Sequence, residues 1–316
     1  MYSTAVPWPS PQPPDVSRLQ RYDFSSRMRL YFCGTCSTPM FWGMEGRKEV
    51  TVFSGTLENI ALGSDTKGSN GMLIRFDASE FVDDTLDGGV SEWLKCPNVD
   101  GSKAKRFKGS PGGEEVPDGH AWPRVETKGS DTVPIRCHCK GVNLSLHKGN
   151  YQEKPEAELP WFVDPATRKR MAWFDACDSC RLALGVDLAA WTRAELKDIS
   201  ALCSNTTELR QLVDEKDPAI GTLAYYTSSP NVQRYFCSEC SACVFYAVDD
   251  RPDVVDVAIG VLVAEGGARA EGNLNWKIRR IEFAEDVKDG WRQGFVGRVE
   301  KEFGDWTTKH EAGLIR

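Results

Sequence analysis

The chain has 316 residues, a formal net charge of −7 and an apolar fraction of 41%. This length accommodates two domains of ordinary size, and the apolar fraction is sufficient for a buried core. The acidic balance argues against nucleic acid as a partner, since phosphate binding usually requires a basic surface. One basic run, at 103–108, is flanked by Gly, Ser and Pro. It predicts a solvated linker, with a nuclear-import signal as the alternative.

The N-terminus does not resemble a secretory signal. Residues 1–14 are rich in proline and lack the apolar core of about 7–15 residues that such signals need. No apolar run is long enough to suggest a membrane span. The eleven cysteines are therefore expected in a reducing compartment, where closely spaced thiols hold metal more often than they form disulfides. These features predict a cytoplasmic protein, or alternatively a nuclear one, without a membrane partner.

An internal repeat organises the chain. Residues 19–42 align without gaps on residues 223–246, and nine of the 24 positions are identical, including both cysteines of each segment. Only 32 residues precede Cys33, whereas its counterpart Cys237 follows Cys137 by 100 residues. The first copy is therefore expected to lack its front half.

This repeat predicts five regions along the chain. They are a Pro-rich segment at 1–18, a partial first copy at 19–95, a Gly/Ser/Lys-rich connector at 96–132, a complete unit at 133–295 and a polar tail at 296–316.

The secondary structure is predicted to be mainly β. Alternating apolar residues or β-branched runs predict strands at 50–53, 142–146, 254–263 and 277–283. The stretch 191–203 fits either a helix that begins at a capping box or a strand that enters a loop.

Three groups of potential metal ligands lie within the complete unit. They are Cys137-X-Cys139, Asp175-X-Cys177-X-X-Cys180 and Cys237-X-X-Cys240. Thiolates that are two or three residues apart on a turn can reach one zinc ion without straining the backbone. For a single Cys-X-X-Cys pair the alternative is a metal-free thiol couple. A thioredoxin-like redox motif would need a strand-to-helix step in a βαβ unit, which the sequence does not suggest.

The order of these groups resembles the signature of the glutathione-dependent formaldehyde-activating enzyme and centromere protein V family. The matching residues include Cys137-His138-Cys139-Lys140-Gly141, Cys180-Arg181 and Tyr235-Phe236-Cys237. The resemblance covers the complete unit, whereas the first copy matches only the back half of the pattern. It implies a mainly β, zinc-stabilised, β-tent-like domain, present as one full copy and one partial copy.

The resemblance also implies the metal ligands. A structural zinc would be held by the outer pairs, Cys137, Cys139, Cys237 and Cys240. A second, catalytic zinc would be held by the central triplet, Asp175, Cys177 and Cys180. The chain departs from the family at Asp175, where a cysteine is expected. Zinc accepts a carboxylate beside two thiolates, so the triplet remains a candidate metal site. The alternative is an inherited remnant with a free thiol pair.

The first copy presents a further candidate site. Cys33 and Cys36 lack a Cys-X-Cys partner in this chain, and Cys96 and His120 are the only nearby candidates to complete a metal site. The expectation is therefore either a metal held with borrowed ligands or a vestigial turn. His138, expected at the surface, shows no ligand spacing of its own.

By resemblance, the activity is that of a carbon–sulfur lyase similar to S-(hydroxymethyl)glutathione synthase. A small thiol such as glutathione would add reversibly to a small aldehyde such as formaldehyde at the second zinc. The alternative is a non-catalytic, zinc-stabilised binding module that has lost the catalytic metal site. The residues predict no oligomeric state.

Overall fold

The computed structural model describes residues 3–7, 15–44, 49–62, 72–122 and 129–313. Within these ranges the chain is mainly β, as predicted, with sixteen strands. The helices are Asp178–Leu184 (α1), Thr206–Asp214 (α2) and Arg292–Glu311 (α3). None of these helices combines the length and the apolar character that crossing a membrane requires.

The N-terminal part forms a five-stranded antiparallel sheet. Its strands are Ser3–Pro7 (β1), Leu19–Asp23 (β2), Met28–Cys33 (β3), Pro39–Met44 (β4) and Glu49–Phe53 (β5). They lie in the order β1-β5-β4-β3-β2. Two smaller pairs follow along the chain. Ala78–Ser79 (β6) is parallel to Lys105–Arg106 (β7), and Thr132–Arg136 (β8) is antiparallel to Asn143–His147 (β9).

A seven-stranded sheet forms the centre of the complete unit. Its strands are Arg170–Asp175 (β10), Ala189–Glu195 (β11), Leu223–Ser229 (β12), Val232–Cys237 (β13), Cys243–Val248 (β14), Val254–Ala258 (β15) and Leu274–Trp276 (β16). They lie in the order β12-β13-β14-β15-β11-β10-β16. Neighbouring strands are antiparallel except for β10 and β16.

The backbone repeats along with the sequence. The order β1-β5-β4-β3-β2 matches β11-β15-β14-β13-β12 strand for strand. A register shift interrupts both β3–β4 and β13–β14 at equivalent residues. After each shift, a serine takes up a left-handed conformation, Ser37 at φ 65° and Ser241 at φ 62°. The first copy thus also contains a counterpart of β11, namely β1, which comes from the segment expected to lie outside it.

Two sequence predictions need correction, and one open alternative is resolved. Segment 277–283 forms no continuous strand: β16 ends at Trp276, and a single bridge joins Glu282 to Asp175. Its apolar residues Ile278 and Ile281 are three positions apart and pack into a core instead of following a strand's period of two. The strand predicted at 254–263 ends at Ala258 and continues as a 3-10 turn. The ambiguous stretch after Ala189 is a strand, β11, and not a helix.

The predicted polar tail at 296–316 is largely the helix α3. Its residues Phe295, Val299 and Phe303 are fully buried and four positions apart, so they form one apolar stripe. They pack with Phe174 of β10 and Trp93 in a core on one face of the large sheet. Because most residues of the segment are polar, the sequence pattern did not identify this apolar stripe. The main core lies on the other face, against β8 and β9.

A buried ion pair within the complete unit, together with Ser54, connects the complete unit to the first copy. Arg292 of α3 and Asp187 are both 0% exposed, and Arg292 Nε donates to Asp187 Oδ1 at 2.8 Å. Ser54 of the first copy completes the network, because its hydroxyl donates to Asp187 and its carbonyl accepts from Arg292. Beside it, a Cβ added to Gly55 would lie 2.2 Å from the backbone nitrogen of Val186. Only glycine at position 55 permits the two backbones to lie this close together.

Breaking this pair should destabilise the whole chain. We expect Asp187→Asn to lower the free energy of unfolding by about 3–5 kcal/mol, because it leaves a buried guanidinium without its counter-charge. Chemical denaturation measures this change. Glu311→Gln, which removes the exposed Arg279–Glu311 pair at 2.5 Å, is the control and should cost at most about 1 kcal/mol. Equal effects of the two substitutions would contradict the connecting role of Asp187.

Candidate metal centres

The four outer cysteines meet at one point in the main core. The sulfurs of Cys137, Cys139, Cys237 and Cys240 all lie within 4.8 Å of one another. The sulfur of Cys139 is 3.5 Å from that of Cys137 and 3.4 Å from that of Cys237. The structure therefore brings together the four residues that the family resemblance assigned to one metal site.

Two tight turns position these sulfurs. The turn between β8 and β9 carries Cys137 and Cys139, and its backbone N–H groups at Val142 and Gly141 donate to their sulfurs at 3.2 and 3.4 Å. The turn between β13 and β14 carries the other pair, Cys237 and Cys240. Hydrogen bonds to sulfur stabilise the thiolate form, which is the form that ligates metal.

The donor set fits a closed zinc site. Four thiolates around zinc, each at about 2.3 Å, place neighbouring sulfurs about 3.8 Å apart. The observed separations are close to this value. Burial raises the pKa of Cys139 to about 11, whereas contacts with the Cys137 and Cys240 thiols lower the pKa of Cys237.

The central triplet also assembles. The ligand atoms of Asp175, Cys177 and Cys180 lie within 4.8 Å of one another. Asp175 ends β10, Cys177 precedes α1 and Cys180 lies in its first turn. Asp178, the first residue of α1, is exposed and pairs with Arg181 at 2.9 Å, so it does not belong to the ligand group.

The carboxylate and the thiols of the triplet have strongly shifted pKa values. Burial raises the pKa of Asp175 to about 7, although the Cys177 N–H donates to its Oδ1 at 2.7 Å. A hydrogen bond from the Cys180 thiol lowers the pKa of Cys177 to about 5, and the same contact raises that of Cys180. Three potential anions share a mostly buried space. One carboxylate and two thiolates with an open position suit zinc, so this donor set also fits the metal.

Residues outside the ligand motifs complete the surroundings of the triplet. Arg234 of β13 lies beside it, with Nη1 at 3.7 Å from the Cys180 sulfur and Nη2 donating to Ser179 Oγ at 2.7 Å. The guanidinium lies over the Tyr246 ring, 4.9 Å from its centroid. Sequence spacing alone did not identify these residues. A signal was present in the repeat, since Leu30 occupies the position of Arg234 in the first copy.

The central pair also corrects an expectation about local structure. Cys177 and Cys180 do lie where a strand, β10, passes into a helix, α1, which the sequence did not suggest. The strand that follows, β11, is antiparallel to β10 and not parallel, so the unit is not the βαβ of a thioredoxin-like motif.

The cysteine pair of the first copy is incomplete in the part of the chain that is described. Cys33 and Cys36 belong there to no group of three or more Cys, His, Asp or Glu ligand atoms. Cys96 lies instead against α3, where its N–H donates to Glu302. His120 packs edge-on against Trp122. The structure thus does not supply the borrowed ligands considered for this pair.

His138 is exposed, as expected, and it also lies at the contact between the two copies. Its Nδ1 is 2.6 Å from the Tyr22 hydroxyl, and its ring stacks on Phe24 at 3.9 Å. The turn that carries Cys137 and Cys139 is therefore held by residues of the first copy.

Comparison with known proteins adds little to this geometry. No family model and no curated protein matches the chain. A crystal structure of a Rhodobacter sphaeroides protein from a structural genomics programme is similar over 46% of this chain and 99% of its own chain. The sequence identity is 20% and the TM-score is 0.28, so neither its fold nor any function is transferred to this chain.

Loss of one outer ligand should cost both metal and stability. We expect Cys139→Ser to remove about one zinc per chain and at least about 3 kcal/mol of unfolding free energy, because binding energy at a structural zinc becomes folding energy. Elemental analysis and chemical denaturation measure the two effects. Cys96→Ser is the matched control and should retain full zinc content. A Cys139→Ser protein with unchanged zinc and stability would refute the structural site.

Proposed function

We propose that the chain is a zinc-dependent carbon–sulfur lyase that adds a small thiol reversibly to a small aldehyde. Glutathione and formaldehyde are the substrates implied by the resemblance to the formaldehyde-activating enzyme family. A β-tent-like fold is part of the same proposal. The observation that carries it is the second ligand group, Asp175, Cys177 and Cys180, which has three members where the structural group has four.

The number of ligands is what distinguishes the two groups chemically. A structural zinc is closed by four protein ligands, whereas a catalytic zinc has three and keeps one position for water or substrate. Zinc held by Asp175, Cys177 and Cys180 would supply a Lewis acid that favours the thiolate form of a bound thiol at neutral pH. The carboxylate is a harder donor than the thiolate it replaces, which favours a more strongly acidic metal.

The proposed reaction balances without an oxidant or a reductant. One carbon–sulfur bond forms, the carbonyl π bond breaks and the proton of the thiol ends on the former carbonyl oxygen as a hydroxyl. The requirements on the protein are therefore to favour a thiolate, to hold the aldehyde within attack distance and to exclude competing water.

The side chains around the triplet suit these tasks. Asp175 and Cys180 are only 5% and 6% exposed, so ionic interactions within the site are weakly screened. The Cys177 N–H fixes one oxygen of the Asp175 carboxylate. Arg234 and the ring of Tyr246 form a cationic and aromatic wall beside Cys180. Such a wall can orient a polar thiol.

Replacing Asp175 tests the proposal. We expect the wild-type chain to contain about two zinc ions, and Asp175→Ala to lose one of them together with thiol–aldehyde turnover. The loss should be about a hundredfold or more, since changes outside the ligand shell alone cost 10- to 100-fold. Elemental analysis measures zinc, and NMR exchange between a thiol and its hydroxymethyl adduct measures turnover. Asp175→Cys, with three thiolates, should bind both ions.

The neighbouring carboxylate provides the control. Asp178 is exposed and bonded to Arg181, so Asp178→Asn should retain both zinc ions. A wild-type chain with about one zinc, unchanged by Asp175→Ala, would refute the enzyme and favour a non-catalytic binding module stabilised by the outer site. A chain that binds two zinc ions but turns over no thiol and aldehyde would refute the proposed reaction and not the second metal site.

A further inference from the structure

Arg234 is a buried cation without a carboxylate partner in the described ranges. It is 5% exposed, and its Nε has no hydrogen-bond partner there. A buried guanidinium costs folding free energy unless an anion compensates it. The nearest compensation comes from the central triplet.

The contacts of Arg234 divide between the two thiols of that triplet. Nη1 lies 3.7 Å from the Cys180 sulfur. Nη2 donates to Ser179 Oγ at 2.7 Å, and Ser179 Oγ is 3.1 Å from the Cys177 sulfur. One arm of the guanidinium therefore reaches Cys180 directly, and the other reaches Cys177 through Ser179. The guanidinium also lies over the Tyr246 ring in a cation–π contact.

The charge of Arg234 also balances the net charge of the triplet with a bound divalent cation. Asp175, Cys177 and Cys180 carry three negative charges when all are ionised, and a divalent cation leaves a net charge of −1. Arg234 brings the sum to zero. A buried site with no net charge avoids the desolvation cost of an uncompensated ion.

The first copy shows that the sheet itself does not require an arginine here. Leu30 occupies the equivalent position, is 6% exposed and faces Trp42 across β3 and β4, as Arg234 faces Tyr246 across β13 and β14. Both copies fold with the same strand order and the same bulge. The shared fold therefore does not explain why residue 234 is an arginine.

We propose that Arg234 is a positioning residue of the central metal site, which holds the two thiols for the metal through its two-armed donor group and offsets their charge. This inference rests on metal binding at the triplet, which is part of the proposed function, and not on turnover. Residues that hydrogen-bond to metal ligands typically contribute 10- to 100-fold to metal affinity.

The test is cobalt(II) titration of the full chain in competition with a chelator. The four-thiolate site and the mixed site give different absorption spectra, so their affinities are measured separately. Arg234→Lys keeps the charge and loses the planar fork. We expect it to weaken the central site about 10- to 100-fold and to leave the four-thiolate site unchanged. Arg234→Leu, the residue of the first copy, should weaken it at least as much.

Ser179→Ala tests the arm that reaches Cys177. We expect it to weaken the central site, and the double variant Arg234→Lys with Ser179→Ala to show less than the sum of the two losses, since both changes break one arm. If the two losses of affinity are strictly additive, the proposed contact from Arg234 through Ser179 to Cys177 is overturned. Because Ser179 is exposed, its removal should not disturb folding.

Arg251→Lys is the matched control. Arg251 pairs with Asp256 on the same sheet, and its guanidinium lies 5.9 Å from the Tyr246 ring centre. We expect no change at either site. Central-site affinity of wild-type strength in Arg234→Lys would overturn the proposal, as would a triplet that binds no metal. A chain that binds two ions and catalyses no thiol addition would refute the reaction and leave the role of Arg234 standing.

Discussion

The complete unit depends on the convergence of four sulfurs from two turns that are far apart in the chain. Cys139 and Cys237 are separated by 98 residues, yet their sulfurs are 3.4 Å apart inside the main core. Three of the four cysteines are buried, so ionising them without a nearby cation would carry a large desolvation free energy. The same contact joins the β8–β9 hairpin to the β13–β14 turn of the seven-stranded sheet.

The partial first copy supports the part of the molecule that carries the second group of ligands. Arg181 of α1, the residue after Cys180, donates to the carbonyl oxygens of Gly55 and Leu57 in the first copy. Gly55 also donates to the Gly185 carbonyl at the end of α1. A seven-residue helix is not stable by itself, because so few hydrogen bonds do not offset the cost of nucleation. Contacts with the first copy therefore fix α1, and with it the positions of Cys177 and Cys180.

The sequence was informative where chemistry depends on spacing. Cysteines two or three residues apart can lie on one turn, so spacing identified each short motif, whereas the assignment of the motifs to two ligand groups came from the family resemblance. The repeat was equally informative, because identical residues at Cys33 and Cys237 accompany the same turn and the same bulge. Both signals are local. They require no knowledge of how distant segments pack.

The remaining features depend on tertiary contacts, and local patterns could not show them. The helix α3 has a single apolar stripe within a polar sequence, and only Phe174 and Trp93 on its partner surface reveal which face is buried. Segment 277–283 has β-like composition, but its apolar residues pack against α3, and it meets β10 at a bridge from Glu282 instead of forming a continuous ladder. Arg234 lies 54 residues from Cys180, so only the sheet brings them together.

The carboxylate of Asp175 can be understood from the contacts around it. A carboxylate at the end of a strand, facing two thiols in a buried space, is unfavourable alone, and burial accordingly raises the pKa of Asp175 to about 7. Two features reduce this cost. The Cys177 N–H is directed at one carboxylate oxygen, and the charge of Arg234 favours the ionised form. A backbone donor of this kind can serve a carboxylate as readily as a thiolate. The first ligand of the triplet could therefore be either a carboxylate or a thiolate without a change in the backbone of the turn. The Cys177 N–H and Arg234 of β13 can stabilise either anion.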